Sequence, residues 1–216
     1  MEPISFNCGC YPARKSYLEK VRQLCDRENI VLIFDEVICG LRLRPGTAQA
    51  YYGVTPDLAT FAKAIGGTFP IAALCGKEKV MRCLAPEGKV GMSGTYTGSL
   101  MAVLASIECF RMAAEPDFYD QVEQKADMLY NGINDLFAKH GIKGHCHGIG
   151  ARFGMFFGVE NPEDDLNWRK FVGQYDVSMN RRFVTKALEK GMYFVDPGRG
   201  PAPSPVSYTH LRAHET

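Results

Sequence analysis

The run Val31-Leu32-Ile33-Phe34, ending directly in Asp35-Glu36, constrains this chain most. Its apolar residues are consecutive rather than alternating, which suits a strand of a parallel sheet buried on both faces. Residues 17–29 just before it carry Leu18, Val21 and Leu24 at helical spacing with charges between, so they predict an amphipathic helix. A helix leading straight into a buried strand predicts α/β alternation.

The same reading continues along the chain. Residues 57–63 (DLATFAK) predict a strand stopped by Gly66-Gly67, residues 71–74 a third apolar run, and residues 77–84 a short helix. Residues 99–112 predict a helix with Leu100, Val103, Leu104, Ile107 and Phe110 on one face and Ser99 as its cap. Residues 118–140 predict a long helix with Phe118, Val122, Leu129, Ile133, Leu136 and Phe137 in register, stopped by Gly141. Composition then changes. Residues 144–158 are glycine-rich and include an apolar run, 160–167 read as a loop, 183–190 as a helix and 193–195 as a short strand. The proline-rich segment at 201–205 breaks any element. Residues 205–216 have no periodicity, resemble the in-frame translation of a sequencing adapter, and read as a non-native tail.

Composition excludes some functions. A net charge of +1, with no stripe of basic and aromatic residues, gives no footprint for nucleic acid or an anionic membrane. No apolar run approaches a membrane span, and no secretory signal opens the chain, so a cytoplasmic location is expected. The eight cysteines show no repeated spacing and read as free thiols of a reducing compartment. Cys8-Gly9-Cys10 and His145-Cys146-His147 lack the paired spacing of zinc sites, so no metal is expected.

Three places can carry chemistry. Asp35 ends a strand where open α/β sheets bind ligands, or it caps the next element. Lys63 stands among Phe61, Ala62, Ala64 and Ile65. In apolar surroundings a lysine loses part of its proton affinity, as a Schiff-base lysine requires; alternatively it snorkels to solvent. Gly94 and Thr95 precede a helix, where amides and a hydroxyl suit a phosphate, or they form an ordinary turn. The string at 31–36 also suits the magnesium strand of a P-loop ATPase, but the chain has no GxxxxGK[ST] loop.

Taken together, Ile33-Phe34-Asp35-Glu36-Val37, Tyr52-Gly53-Val54-Thr55-Pro56-Asp57-Leu58, Ala62-Lys63-Ala64-Ile65-Gly66-Gly67, Pro70 and Ser93-Gly94-Thr95 resemble the class III aminotransferases. The resemblance runs to about Phe194 and weakens after Gly144. It implies the pyridoxal 5′-phosphate-dependent transferase fold (fold type I, α/β). Residues 1–141 would form the C-terminal part of the large cofactor-binding domain, and 142–204 a partial small domain. It implies an aminomutase, an aminotransferase or a racemase, acting on an amino acid or amino aldehyde as a homodimer. Asp35 would pair with the protonated pyridine nitrogen, and Val37 would pack on the ring. Lys63 would form the internal aldimine and shuttle the proton. Gly94 and Thr95 would reach the phosphate of the partner subunit's cofactor, and Asn7 would lie near the phenolic oxygen.

Two departures bear on substrate. The family usually reads GGG[LM]P after the lysine, and this chain reads Gly66-Gly67-Thr68-Phe69-Pro70. Arg152 stands where a small polar residue is common; it either binds a substrate carboxylate in bidentate fashion or is a solvated strand charge. In the family about two hundred residues precede this region, on the scale of a domain, and carry the phosphate cup and the aromatic that stacks on the ring. The chain alone is therefore expected to hold the cofactor poorly and to expose a bare sheet edge.

Overall fold

The computed structural model describes residues 1–45, 47–159 and 173–194. The segments at 160–167, 201–205 and 205–216, and Val195 of the expected strand at 193–195, lie outside the described residues. The chain forms two compact units: Met1–Ile4 with Pro12–Tyr119, and Ser5–Tyr11 with the residues from Asp120 onward. β1 (Ile4–Ser5) and β2 (Tyr11–Pro12) form a short two-stranded ladder.

The first unit contains α1 (Lys15–Arg27), β3 (Ile33–Asp35), α2 (Thr47–Tyr52), β4 (Leu58–Ala62), a 3₁₀ turn at Lys63–Gly66, β5 (Ala72–Gly76), α3 (Glu78–Met81) and α4 (Leu100–Ala113). β3 and β4 are parallel, with Ile33 opposite Leu58 and Asp35 opposite Thr60. β5 returns antiparallel to β4, so the third apolar run does not extend the parallel sheet. Burial on both faces of β3 is also not observed. Leu32 and Phe34 are buried, while Val31 and Ile33 are about half exposed, because among the described residues only one face is covered. The edge of β3 is not bare: the Met1 ammonium donates to Ile33 O at 2.9 Å, and Asp35 N–H donates to Met1 O at 2.8 Å.

Asp57 ties this sheet together. Its Oδ2 accepts from Leu32 N–H and from Arg22 Nη1 of α1, each at 2.8 Å, and its Oδ1 accepts from Lys77 Nζ at 2.7 Å. Burial alone would raise this carboxyl, but the bonds from Lys77, the Leu32 amide and Arg22 outweigh it and hold the group at about 2.

Helix α4 turns the other way from the sequence expectation. Leu100, Leu104, Ile107 and Phe110 are exposed, and the buried positions are Ala102, Ser106 and Ala113. These small residues recur at helical spacing and let α4 approach the Lys63–Gly66 turn closely. Ser99 stands at the N-cap position without a side-chain cap bond. The helix expected over 77–84 is confined to α3, Glu78–Met81.

The second unit packs α5 (Phe118–Lys139) and α6 (Val177–Glu189) on a hairpin, β6 (Gly144–Ile149) and β7 (Arg152–Phe157). Its core joins Ala126, Tyr130 and Phe137 of α5 to Cys146, Phe153, Met155 and Phe157, with Met179 and Phe183 of α6 against it. The buried stripe of α5 is thus rotated from the expected one, and Leu129 and Leu136 are exposed. Gly141 ends α5 in the left-handed region, as its place predicts. Asp176 caps α6 by accepting from Met179 N–H at 2.9 Å. None of the eight cysteines is in a disulfide; Cys10, Cys25, Cys39 and Cys146 are buried, and Cys75 and Cys83 are exposed.

Candidate active site

Asp35 is the last residue of β3. Its Oδ1 accepts from Val37 N–H at 3.0 Å and from Thr60 Oγ1 at 3.5 Å, while Oδ2 takes no bond among the described residues. The alternative role of capping falls to its neighbour. Glu36 is fully buried, its Oε2 accepts from Ala48 N–H in α2 at 2.8 Å, and its Oε1 accepts from Gln49 Nε2 at 2.9 Å. With Glu36 holding α2, Asp35 keeps one oxygen for a ligand.

Lys63 follows the last residue of β4 and opens the 3₁₀ turn with φ at 55°, a left-handed conformation that costs a non-glycine residue about 1–2 kcal/mol. Because β3 and β4 are parallel, Asp35 and Lys63 leave the sheet at the same edge. Lys63 is three residues past Thr60, the register partner of Asp35, which puts the two Cα atoms roughly 11 Å apart on strand spacing and rise. The side chain is exposed, and the apolar enclosure expected for it is not present. The turn sends Ile65, 2% exposed, into the interior instead.

The other sequence-predicted residues separate into two groups. Val37 is half-buried and bonded to Asp35 through its backbone. Gly94 and Thr95 are exposed, and Gly94 opens a turn closed by Thr97 N–H to Gly94 O at 3.0 Å, just ahead of α4. These belong to the unit that holds Asp35 and Lys63. Asn7, exposed in the turn between β1 and β2, and Arg152, half-buried at the start of β7, belong to the second unit. Arg152 O there accepts from Tyr130 Oη at 3.2 Å and from Cys10 Sγ at 3.5 Å. Thr60 and Glu36 have local roles that sequence reasoning missed. The only signal for Glu36 was its place beside Asp35 ahead of a turn-rich segment.

The parallel pair of strands carries a carboxylate and a lysine at its carboxyl ends, the place where open α/β sheets bind ligands. Residues 1–206 match the family described as "Aminotransferase class-III", and the chain belongs to that family. Pyridoxal 5′-phosphate is the cofactor of this family. The chain is 40% identical over 193 residues to a glutamate-1-semialdehyde 2,1-aminomutase of Chlorobium limicola (strain DSM 245 / NBRC 103803 / 6330), covering 89% of this chain and 44% of the relative. It is 39% identical over the same length to the enzyme of that name in Chlorobium phaeovibrioides (strain DSM 265 / 1930), with the same coverage. Among solved structures it resembles an omega-transaminase from Sphaerobacter thermophilus with a TM-score of 0.82 at 26% identity, covering 96% of this chain and 46% of the other. A beta-phenylalanine aminotransferase from Variovorax paradoxus gives a TM-score of 0.79 at 25% identity, covering 94% of this chain and 46% of the other. The chain therefore has part of the fold-type-I architecture and spans less than half the length of the relatives it matches.

The donor set fits the cofactor. Asp35 offers an uncommitted carboxylate oxygen for a ring N–H, and Lys63 offers an exposed primary amine for a carbonyl carbon.

Proposed function

We propose that this chain is the lysine-bearing part of an amino-group-transferring enzyme, most like glutamate-1-semialdehyde 2,1-aminomutase, acting on an amino acid or amino aldehyde. The observation that supports this is the parallel register of β3 and β4, which brings Asp35 and Lys63 to one edge. Bound pyridoxal 5′-phosphate supplies an electron sink for bonds at the substrate's amino-bearing carbon. Asp35 accepts the ring N–H and keeps the ring protonated; Val37 N–H and Thr60 fix the carboxylate's orientation. Val37 packs on the ring. Lys63 Nζ would hold the cofactor's carbonyl carbon and would then move a proton at the substrate's reacting carbon. By the resemblance, Gly94 and Thr95 would reach the phosphate across a homodimer, Asn7 would be near the phenolic oxygen, and Arg152 would take the substrate carboxylate. By the resemblance, residues 1–141 would belong to the large domain and 142–204 to the small one, while the compact units divide at Asp120. The free cysteines fit a cytoplasmic setting.

Lys63, Gly94 and Thr95 are all exposed, so this chain by itself offers an open edge rather than a closed pocket and holds the cofactor weakly. Titration with pyridoxal phosphate, followed by absorbance in the wild type and in Lys63→Ala, tests this. Weak, Lys63-dependent binding is expected, and a stoichiometric Lys63-dependent band refutes the statement about the isolated chain. In the full-length gene product, turnover without an added keto acid indicates a mutase, and strict keto-acid dependence indicates a transaminase.

A further inference from the structure

We propose that Glu2 is a positioning residue for the ring N–H site at Asp35, its carboxylate standing beside Asp35 as a second negative charge that acts through it; the inference rests on the role of Asp35 just proposed. The backbone fixes this placement. The Met1 ammonium donates to Ile33 O at 2.9 Å and Asp35 N–H donates to Met1 O at 2.8 Å, the pattern of a parallel bridge between Met1 and Phe34. One residue further along, Glu2 stands beside Asp35, as Thr60 does on the other side. Register neighbours in a sheet point to the same face, so Glu2, Asp35 and Thr60 form one row across three parallel segments. The residue after Glu2 anchors the row: Pro3 is fully buried, and its carbonyl accepts from Ala13 N–H at 3.1 Å.

The hydrogen bonds leave one oxygen on each carboxylate unused. Asp35 Oδ1 accepts from Val37 N–H and, on the β4 side, from Thr60 Oγ1, while Oδ2 takes no bond among the described residues. Glu2 Oε2 is buried and likewise takes no bond among the described residues. Burial raises the Glu2 carboxyl, the charge on Asp35 raises it further, and the Met1 ammonium opposes both. Two carboxylates in one row repel, and a single positive group at Asp35 relieves that repulsion. Such coupling is reciprocal: a cation that eases the ionisation of Glu2 is in turn held more tightly because Glu2 is charged. A protonated ring nitrogen is that cation, so Glu2 favours the N–H form at Asp35 without touching the ring.

The test uses the whole chain. The Glu2 carboxyl carbon is titrated by NMR in wild type and in Asp35→Asn, and its midpoint should fall when the Asp35 charge is removed. Pyridoxal phosphate incorporation at Lys63, trapped with borohydride, is compared in wild type, Glu2→Gln and Glu2→Asp, with Lys77 and Lys79 as controls. Glu2→Gln keeps the shape and removes the charge; it should lower labelling at Lys63 about threefold and leave Lys77 and Lys79 unchanged. Glu2→Asp keeps the charge and should restore most of the labelling. Amide exchange at Asp35, whose N–H bonds Met1 O, should stay within about twofold of wild type in both variants, which separates a lost charge from a displaced edge. An unmoved Glu2 midpoint in Asp35→Asn, or unchanged Lys63 labelling in Glu2→Gln, overturns the proposal. So does an equal loss of labelling in Glu2→Gln and Glu2→Asp accompanied by faster exchange at Asp35. The titration needs no variant at Glu2, so it decides the pairing even if Glu2→Gln does not fold. If wild-type Lys63 is labelled no faster than Lys77 and Lys79, the functional reading fails and takes this proposal with it; if labelling is specific to Lys63 but insensitive to Glu2→Gln, this proposal alone falls.

Discussion

Replacing Asp57 by alanine should weaken the sheet that presents Asp35 and Lys63. The substitution removes three bonds: Leu32 N–H and Arg22 Nη1 at 2.8 Å each, and Lys77 Nζ at 2.7 Å. The Lys77 side chain is 47% exposed, so its ion pair contributes little. Arg22 is only 14% exposed, and it keeps a 2.8 Å bridge to Asp26, which limits its loss. An unpaired amide at Leu32 and a half-satisfied guanidinium together cost about 3 kcal/mol. A carboxyl held near 2, below its ordinary 3.8, contributes stability that is complete above about pH 4 and is lost as pH falls toward 2. Asp57→Asn keeps an acceptor for Leu32 N–H but no charge, so it should cost less and should flatten the pH dependence between 4 and 2. Urea unfolding followed by far-UV circular dichroism gives the loss, and amide exchange at Ile33, Phe34 and Ala59 assigns it to the sheet. A loss under about 1 kcal/mol with an unchanged acid slope would refute the reasoning that Asp57 is the tie between α1, β3 and β5.

Three further outcomes are expected. Burial pushes His147 down to about 4, against the pull of its bonds to the Cys10 and Gly9 backbone and with a further lowering from His145; the ring stacks on Phe156 at 4.9 Å. Its stability contribution is complete above about pH 6.5 and is lost as pH falls toward 4, about 3 kcal/mol in all, so His147→Gln should flatten that acid limb in a pH series of urea melts. Lys63→Gly should raise stability by up to about 1 kcal/mol by relieving the left-handed backbone, while abolishing pyridoxal phosphate trapping at that position; a loss of stability in the urea melt would contradict the strain argument. Leu104→Glu and Ile107→Lys on the exposed face of α4 should change stability by less than about 0.5 kcal/mol and lower both dye binding and concentration-dependent association, measured by ANS fluorescence and light scattering.

Much of the local structure was legible in the residues. The apolar run into Asp35, the strand before Lys63, the helices at α1, α4 and α5 and the stop at Gly141 follow from periodicity and from the backbone preferences of glycine. The motif order was enough to indicate the family, and the comparisons bear that out. What the residues did not reveal was which side of each helix would be covered. Leu100, Leu104 and Ile107 marked the inward face of α4 by hydrophobicity, yet the small residues Ala102 and Ser106 face inward, because close approach to the turn depends on volume. Glu36 rather than Asp35 became the cap, since the path after β3 sets which carboxylate meets Ala48 N–H.

The left-handed backbone of Lys63 has no signal in its own side chain. It arises where β4 gives way to the 3₁₀ turn at Lys63–Gly66, against which α4 packs. Sequence alone determined the elements and the chemistry available to them, because periodicity and side-chain type act over a few neighbouring residues. The parallel register that brings Asp35 and Lys63 to the same end of the sheet was decided by tertiary structure, because it depends on contacts between residues far apart in the chain.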